Sequence, residues 1–283
     1  MFDYIVVGAG SAGCVLASRL TEDPATSVCL IEAGHADRSV LIHCPAGIAL
    51  MAKAPSMNWA FDTVPQAGLN GRRGYQPRGK VLGGSSSINA MIYIRGQHAD
   101  YDHWAAQGNP GWTWDEVKPY FLKAEHNERG ADDWHARGGP LNVMDLRSPN
   151  RLSGLFLQAA QQAGLPLNTD FNGPTQEGAG MYQVTQRNGQ RCSAADAYLT
   201  PNLGRSNLQL LTGAHVTRVL FEGRRAVGIE VLQGGVKREL HARREVLLSA
   251  GALQSPQILQ LSGVGSGSEL QAMGLPLVHD LPG

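Results

Sequence analysis

Gly8, Gly10 and Gly13 set out the spacing G-x-G-x-x-G inside "VVGAGSAGCV", and Glu32 follows nineteen residues after the last of them. That combination suits a dinucleotide. The first glycine permits a tight turn, the second lets backbone approach a pyrophosphate, and the third lets a helix pack close to a sheet. Ser11 and Ala12 begin that helix, where free N–H groups and the positive end of the dipole meet an anion. A carboxylate at Glu32, with Ala33 behind it, accepts hydrogen bonds from a ribose diol. The spacing does not choose between FAD and a nicotinamide cofactor. A second stretch, "RGKVLGGSSSINAMIYIRG" over 78–96, sets two glycines and three serines between Val81-Leu82 and the apolar Ile88, Met91, Ile92, Tyr93 and Ile94. A Gly/Ser linker stays polar over a longer run. This stretch reads as one that faces a bound ligand.

The elements that position these residues follow from periodicity. A short apolar run over 4–7, bounded by glycine, predicts a buried parallel strand. Ala12, Val15, Leu16 and Leu20 recur at helical spacing, Asp23-Pro24 closes the helix, and residues 28–31 form a second strand, completing a β-α-β unit. From Gly34 to about Gly111 the periodicity fails, which predicts long covering loops with short helices. Helices are expected over 115–125 and 150–163. Strands are expected over 208–211, 216–221, 226–232 and 236–241, joined by tight turns into an antiparallel meander. Finally "REVLLSAGALQSPQILQLSGVG" repeats the logic of the N-terminus, with a strand to Leu248, a turn at Ala250-Gly251 and a helix through Leu261. The expected fold class is α/β, α+β overall: a Rossmann-like parallel sheet with an antiparallel β-meander.

Composition excludes several function classes. The chain has 283 residues, enough for one large or two modest domains. Lys plus Arg and Asp plus Glu are equal at 24 each, so no net field draws it to nucleic acid. The doublets Arg72-Arg73, Arg224-Arg225 and Arg243-Arg244 read as solvated loop and strand ends. Cys14, Cys29, Cys44 and Cys192 form no C-x-x-C pair and no metal-ligand spacing, so they read as reduced core thiols, with no metal site. The chain enters a strand at Tyr4 without a charged leader, which leads to the expectation of a cytoplasmic protein. No apolar run approaches the roughly 18 residues of a membrane helix.

"GKVLGGSSSINAMIYIRGQHADYD" (79–102) and "GALQSPQILQLSGVG" (251–265) resemble the two signature segments of the glucose-methanol-choline (GMC) oxidoreductases, including Gly83-Gly84, Asn89, Pro256 and Ser262-Gly263. With the N-terminal unit and its "IEAG", the resemblance spans the chain. "NWAF" (58–61), "PRGK" (77–80) and "DFNG" (170–173) are similar to the bacterial choline and aliphatic alcohol dehydrogenase branch. The resemblance implies FAD as cofactor and assigns the loop of 78–96 to wrapping it. Val81, Gly83, Gly84, Ser85, Asn89, Ala90 and Met91 would then line the flavin, Gly83-Gly84 bringing N–H groups close where a Cβ would collide, and the serine hydroxyls meeting polar atoms of the cofactor. Ile88 stands where some members carry a histidine that bonds the flavin covalently, so FAD is expected to be non-covalent. Val216 falls at an adenine contact, and Ala250-Gly251 beside the pyrophosphate.

The implied activity is hydride transfer from the CH–OH group of a primary alcohol or choline to flavin N5, giving the aldehyde, with electrons passed to a quinone or other acceptor. The partners are a small alcohol and that acceptor, and no nucleic acid. The resemblance also leaves room for peripheral contact with the inner face of the cell membrane through "PAGIALMA" (45–52), against the plainer reading of a buried lid. Such chemistry needs a base for the hydroxyl proton. In the family that base lies in a C-terminal half, and the sequence stops at "VHDLPG", so none of the nine histidines is nominated and the chain reads as truncated. The expected parts are 1–149 for the first part of the FAD-binding domain, 150–202 for the beginning of a substrate domain, and 203–283 for the second part of the FAD-binding domain. The alternatives are an inactive flavin-binding fragment, an FAD-containing lyase of the same family, and a nicotinamide-dependent reductase.

Overall fold

The computed structural model describes residues 1–51 and 54–281. The chain folds as two compact units, Met1–Asn89 with Ser193–Gly283, and Ala90–Cys192. These divisions fall at other positions than the functional boundaries expected at 149/150 and 202/203.

The first unit is built on β1 (Phe2–Val7), α1 (Ser11–Leu20), β2 (Val28–Ile31), β3 (Leu208–Leu211), β4 (Ala214–Glu222), β5 (Arg225–Gln233), β6 (Val236–Leu248) and α2 (Gly251–Leu261). One six-stranded sheet runs β3-β2-β1-β6-β5-β4. β3, β2, β1 and β6 are parallel, while β6, β5 and β4 form the antiparallel meander. All four residues of β2 are buried, as its unbroken apolar run requires of a strand covered on both faces. Ile5, Val7, Ile31, Val216, Ile229 and Ile258 join one core cluster. Each such side chain contributes about 1.5–3 kcal/mol by leaving water.

One feature departs from the sequence reading. The strand expected over 236–241 and the strand expected to end at Leu248 are a single 13-residue strand, β6. Its first half pairs antiparallel with β5 from Val236 to His241, and its second half pairs parallel with β1 up to Leu248. The junction "HARRE" hides this continuity because His241, Arg243, Arg244 and Glu245 are exposed while Ala242 is buried. The arginines are held in place. Arg243 Nε lies 3.1 Å from Asp3 Oδ1, and this guanidinium holds the Asp3 carboxyl well below the usual carboxylate range.

The second unit contains the helices His98–Ala106, Trp114–Ala124 and Arg151–Gln162. Two short strand pairs tie it together, Ile92–Tyr93 with Gln183–Val184 and Glu125–Asn127 with Leu141–Val143. The helix His98–Ala106 falls in the stretch read from sequence as long loops with short helices, where no helix was given bounds. Of its nine residues only Tyr101 is buried, so no apolar stripe announces it. The aromatic rings fix it instead, with His98 stacked 4.1 Å from Trp114 and 5.3 Å from Trp134.

Burial pushes the Cys14 and Cys29 thiols up to about 12, and Cys192 is also buried. Cys44 is exposed, a correction to the expectation of four core thiols. Among the described residues no helix is long and apolar enough to cross a membrane. Within the apolar stretch 45–52, Gly47 and Met51 are buried and Leu50 is 65% exposed, while Ala52 lies outside the described residues.

Candidate functional site

β1 and β6 are parallel neighbours, with Val7 opposite Leu248. Each runs into a glycine turn and then a helix, β1 through Gly8 and Gly10 into α1, β6 through Ala250 and Gly251 into α2. Both helix starts open on one cavity of about 630 Å3, within the range of about 300–1,000 Å3 usual for small-molecule sites. The turns are close-fitting. Gly8 has φ +97°, and a Cβ there would stand 2.6 Å from Ser249 O. A Cβ on Gly13 would stand 1.8 Å from Gly8 O, so the helix packs directly on the turn.

Neither helix is capped. The residue before α1 is Gly10 and that before α2 is Ala250; neither gives a side-chain cap, and neither first turn holds an acid. The same chain caps several other helices, with boxes at Gln97/Asp100 and Thr113/Glu116 and an Asn150 side chain that accepts from Leu152 N–H. Among the described residues the N–H groups of Ser11, Ala12, Gly251 and Ala252 find no side-chain acceptor, while Ala250 N–H donates to Ser255 Oγ at 3.1 Å, so the positive dipole ends stay unneutralised. Two such ends on one cavity suit a multiply charged anion such as a pyrophosphate. In α2, Pro256 has no N–H, which leaves the carbonyl of Ala252, on the cavity wall, without its helical partner.

Glu32 ties this arrangement together. Its Oε2 accepts from Ala9 N–H at 3.0 Å and its Oε1 from Gly34 N–H at 2.8 Å, so it fastens the glycine turn to the end of β2. The side chain is 6% exposed. Burial pushes its pKa above the usual carboxylate range, against the pull of those two N–H groups and of Lys80. Each oxygen keeps a further lone pair with which to accept from a ribose hydroxyl.

The Gly-Gly-Ser loop is locked onto the same turn. Gly83 N–H donates to Ala9 O at 2.7 Å and Gly84 N–H to Val81 O at 2.8 Å, so both amides expected to approach a cofactor are already used within the chain. A Cβ on Gly84, at φ +54°, would stand 2.7 Å from Gly10 Cα. The glycine pair thus lets two turns interlock. Ser86 Oγ donates to Gly83 O, Ser87 Oγ donates to Leu82 O, and Ser85, on the cavity wall, accepts from Gly79 N–H at 3.1 Å.

Of the residues expected at the site, Gly8, Gly10, Ser11, Ala12, Glu32, Ala33, Gly84, Ser85, Val216, Ala250 and Gly251 line the cavity. Gly13 and Gly83 are packed under its turns. Val81 is buried with Ile42, Met51 and Ile88, so the Ile88 side chain belongs to an apolar cluster. Asn89 is exposed, and its N–H donates to Ser85 O. Ala90 and Met91 begin the second unit, where Ala90 is exposed and Met91, at φ +61°, packs with Met144 and Val184.

Sequence reading missed an aromatic shelf on the cavity wall, made by Trp59, Phe61 and His215. Trp59 and Phe61 stack at 5.8 Å with an interplanar angle of 6°, and His215 lies 5.7 Å from Trp59. Lys80 Nζ sits 4.5 Å over the Trp59 ring. Desolvation and that ammonium hold His215 below the usual imidazole range. The signal was available in "NWAF", two aromatic residues two positions apart in a loop otherwise rich in polar residues.

The chain matches the GMC oxidoreductase family model over residues 2–280. It is 52% identical over 285 residues to an alcohol dehydrogenase [acceptor] of Pseudomonas putida and 48% identical over 289 residues to the mitochondrial choline dehydrogenase of Homo sapiens, covering all of this chain and 52% and 49% of those proteins. It thus spans about half the length of the curated relatives it matches. Among solved structures, pyridoxine 4-oxidase from Mesorbium loti superposes with a TM-score of 0.91 at 37% identity, over 100% of this chain and 56% of that one. An FAD-dependent oxidoreductase from Chaetomium thermophilum gives 0.92 at 34%, over 100% and 51%. With two uncapped helix ends and a buried acid around one cavity, and with these likenesses along its whole length, the chain belongs to the GMC oxidoreductase family, and its cofactor is FAD.

Proposed function

We propose that this chain is the flavin-holding part of an oxidoreductase that takes a primary alcohol or choline to the aldehyde and passes the electrons to a quinone or other acceptor. The observation that carries the reading is the pair of uncapped helix starts, α1 and α2, facing one cavity that also holds Glu32. In this reading the amides at Ser11 and Ala12 and at Gly251 and Ala252 hold the pyrophosphate, Glu32 accepts from the ribose, and the Trp59–Phe61 shelf with Val216 receives the adenine. Bound FAD supplies a two-electron acceptor for the carbinol hydride. Ile88 offers no nucleophile, so the flavin is held without a covalent bond. The names of the relatives, alcohol and choline dehydrogenases, support the substrate class.

A second reading, a flavin-holding module that turns nothing over alone, is favoured by the coverage of about half of each relative. One experiment separates the readings. The purified chain is loaded with FAD, made anaerobic and titrated with choline and a series of primary alcohols while the flavin absorbance is followed. Bleaching by an alcohol supports the dehydrogenase. Tight FAD without bleaching supports the module, and substrate turnover without bleaching supports a lyase. Absence of flavin binding refutes all three.

A further inference from the structure

The second unit holds a buried polar cluster that the flavin reading does not use. Glu125 is fully buried; its Oε2 accepts from Arg95 Nη2 at 3.0 Å and from Ala136 N–H at 3.1 Å, and its Oε1 accepts from Asn127 Nδ2 at 3.0 Å. His135, 4% exposed, places Nδ1 3.0 Å from Glu125 Oε1 and Nε2 2.8 Å from Asp170 Oδ2. Both ring nitrogens therefore face carboxylate oxygens, which accept and do not donate when ionised. Asn127 Nδ2 also lies 3.0 Å from Nδ1, but its two hydrogens go to Glu125 Oε1 and Gln183 Oε1. Asn127 Oδ1 accepts from Arg129 N–H at 3.0 Å, which fixes the orientation of the amide. So each ring nitrogen needs a hydrogen of its own. A neutral imidazole carries one, and would leave a lone pair against a carboxylate lone pair on one side.

We propose that His135 is a doubly protonated staple that holds segment 168–177 on the strand Glu125–Asn127, and that it lets go as pH rises. Asp170 is where the staple grips. Its Oδ1 accepts from Asn172 N–H at 2.9 Å, and Asn172 in turn accepts from Arg95 N–H at 2.8 Å and donates to Tyr93 O at 3.2 Å. Phe171, Asn172 and Glu177 form one wall of a cavity of about 320 Å3 whose other walls include Arg95, His98 and Trp114. The staple thereby sets the shape of that cavity.

The surrounding charges favour a cation at His135. Glu125 and Asp170 face its two nitrogens, and Asp132 Oδ1 accepts from the His135 and Trp134 N–H groups at 2.8 and 2.7 Å. Arg95, across Glu125, is the opposing charge. Beyond Trp134 stand His98, stacked on its ring, and Lys118, 4.4 Å over it; beyond Gln183 stands Asp145, paired with Arg129. The hydrogen bonds that His135 donates to Glu125 and then to Asp170 raise its pKa above the usual imidazole range, while burial opposes them. The sign follows. The contribution to stability is complete below the unfolded value of about 6.5 and is lost as pH climbs through the raised folded value.

The test uses the intact chain. Nitrogen-15 NMR of the histidine rings reports the protonation of His135, and hydrogen exchange, corrected for the intrinsic pH dependence, reports residues 168–177 between pH 6 and 9. Both nitrogens should be protonated at pH 6, with a midpoint above 6.5, and protection of the segment should fall tenfold or more through that same midpoint. Asp170→Asn, at a partly exposed position, should move the midpoint down and lower protection at pH 6. A neutral His135 at pH 6, protection that ignores the midpoint, or an unmoved midpoint in Asp170→Asn would each overturn the proposal.

Discussion

Replacing Glu32 by Gln separates two duties of one carboxylate. In the folded chain Glu32 accepts from Ala9 N–H and Gly34 N–H through different oxygens. Gln offers one acceptor, so its NH2 group must meet one of those amides donor to donor. A buried donor left without an acceptor costs about 1–3 kcal/mol. Flavin binding adds a separate loss, because a hydrogen bond from the ribose to a charged acceptor contributes about 1.5–3 kcal/mol. At 1.4 kcal/mol per tenfold, the FAD dissociation constant should rise by about 10- to 150-fold. The two losses respond to pH in opposite directions. Burial raises the folded pKa of Glu32. Its protonated form is therefore favoured in the folded state, and wild-type stability from this group falls as pH rises from the unfolded value of about 4.3 through the raised folded value. The stability gap to Glu32→Gln should narrow over that window. Flavin affinity of the wild type should rise over the same window, because the ionised carboxylate is the better acceptor. Urea unfolding followed by tryptophan fluorescence and FAD titration by flavin quenching, both between pH 4 and 8, measure the two quantities. An FAD affinity equal in Glu32→Gln and wild type at pH 8 would remove Glu32 from the site, and a stability gap that widens with pH would refute the sign argued here.

Two other substitutions test the remaining walls of the cavity. Gly84→Ala and Gly71→Ala both place a side chain at left-handed φ, but a Cβ at 84 would stand 2.7 Å from Gly10 Cα while one at 71 meets open space. Each should cost about 1–2 kcal/mol of backbone strain, and Gly84→Ala should also lose flavin uptake by separating the two turns; equal FAD affinity in both would show that the interlock does not shape the site. Trp59→Ala removes the shelf, and since stacking on an aromatic side chain contributes about 1–3 kcal/mol per base, FAD should bind about 5- to 150-fold more weakly, beside a stability loss of about 1–3 kcal/mol from the contacts with Phe61, His215 and Lys80. Unchanged FAD affinity in Trp59→Ala, read by the same quenching titration, would move the adenine elsewhere.

How far the sequence discloses the fold depends on whether local pattern and tertiary context agree. β2 and β3 could be placed to the residue because their apolar runs are bounded by polar turns on both sides. β6 could not be read as one strand. Its middle is polar because Arg243 and Arg244 face outward to Asp3, so the pattern broke where the strand exchanges an antiparallel partner for a parallel one. Partner exchange is a property of the sheet, and no single-strand periodicity encodes it. The helix His98–Ala106, one of the short helices expected between 34 and 111, could not be placed for a related reason. It is fixed by ring stacking at one end and by a Gln97/Asp100 capping box, with no apolar face to give a period of 3.6.

The site divides along the same line. Residues whose place is set by backbone geometry could be found from their spacing, because a Cβ at Gly8 would stand 2.6 Å from Ser249 O, so the turn there admits only glycine. The serines were harder. Their type suggested polar contact with a ligand, yet Ser87 is buried and spends its hydroxyl on Leu82 O, while Ser85, two residues earlier, faces the cavity. In a single 3-10 turn over Gly84–Ser87, neighbouring side chains point in different directions, so two positions separate a structural hydroxyl from a cavity-facing one. Composition cannot resolve that step. Trp59 and His215 lie further still from sequence logic, being 156 residues apart and brought within 5.7 Å only when β4 joins the sheet edge. What they share with Glu32 and Gly10 is one cavity at the ends of β1 and β6, so the sheet order, more than any motif, decides which residues line it.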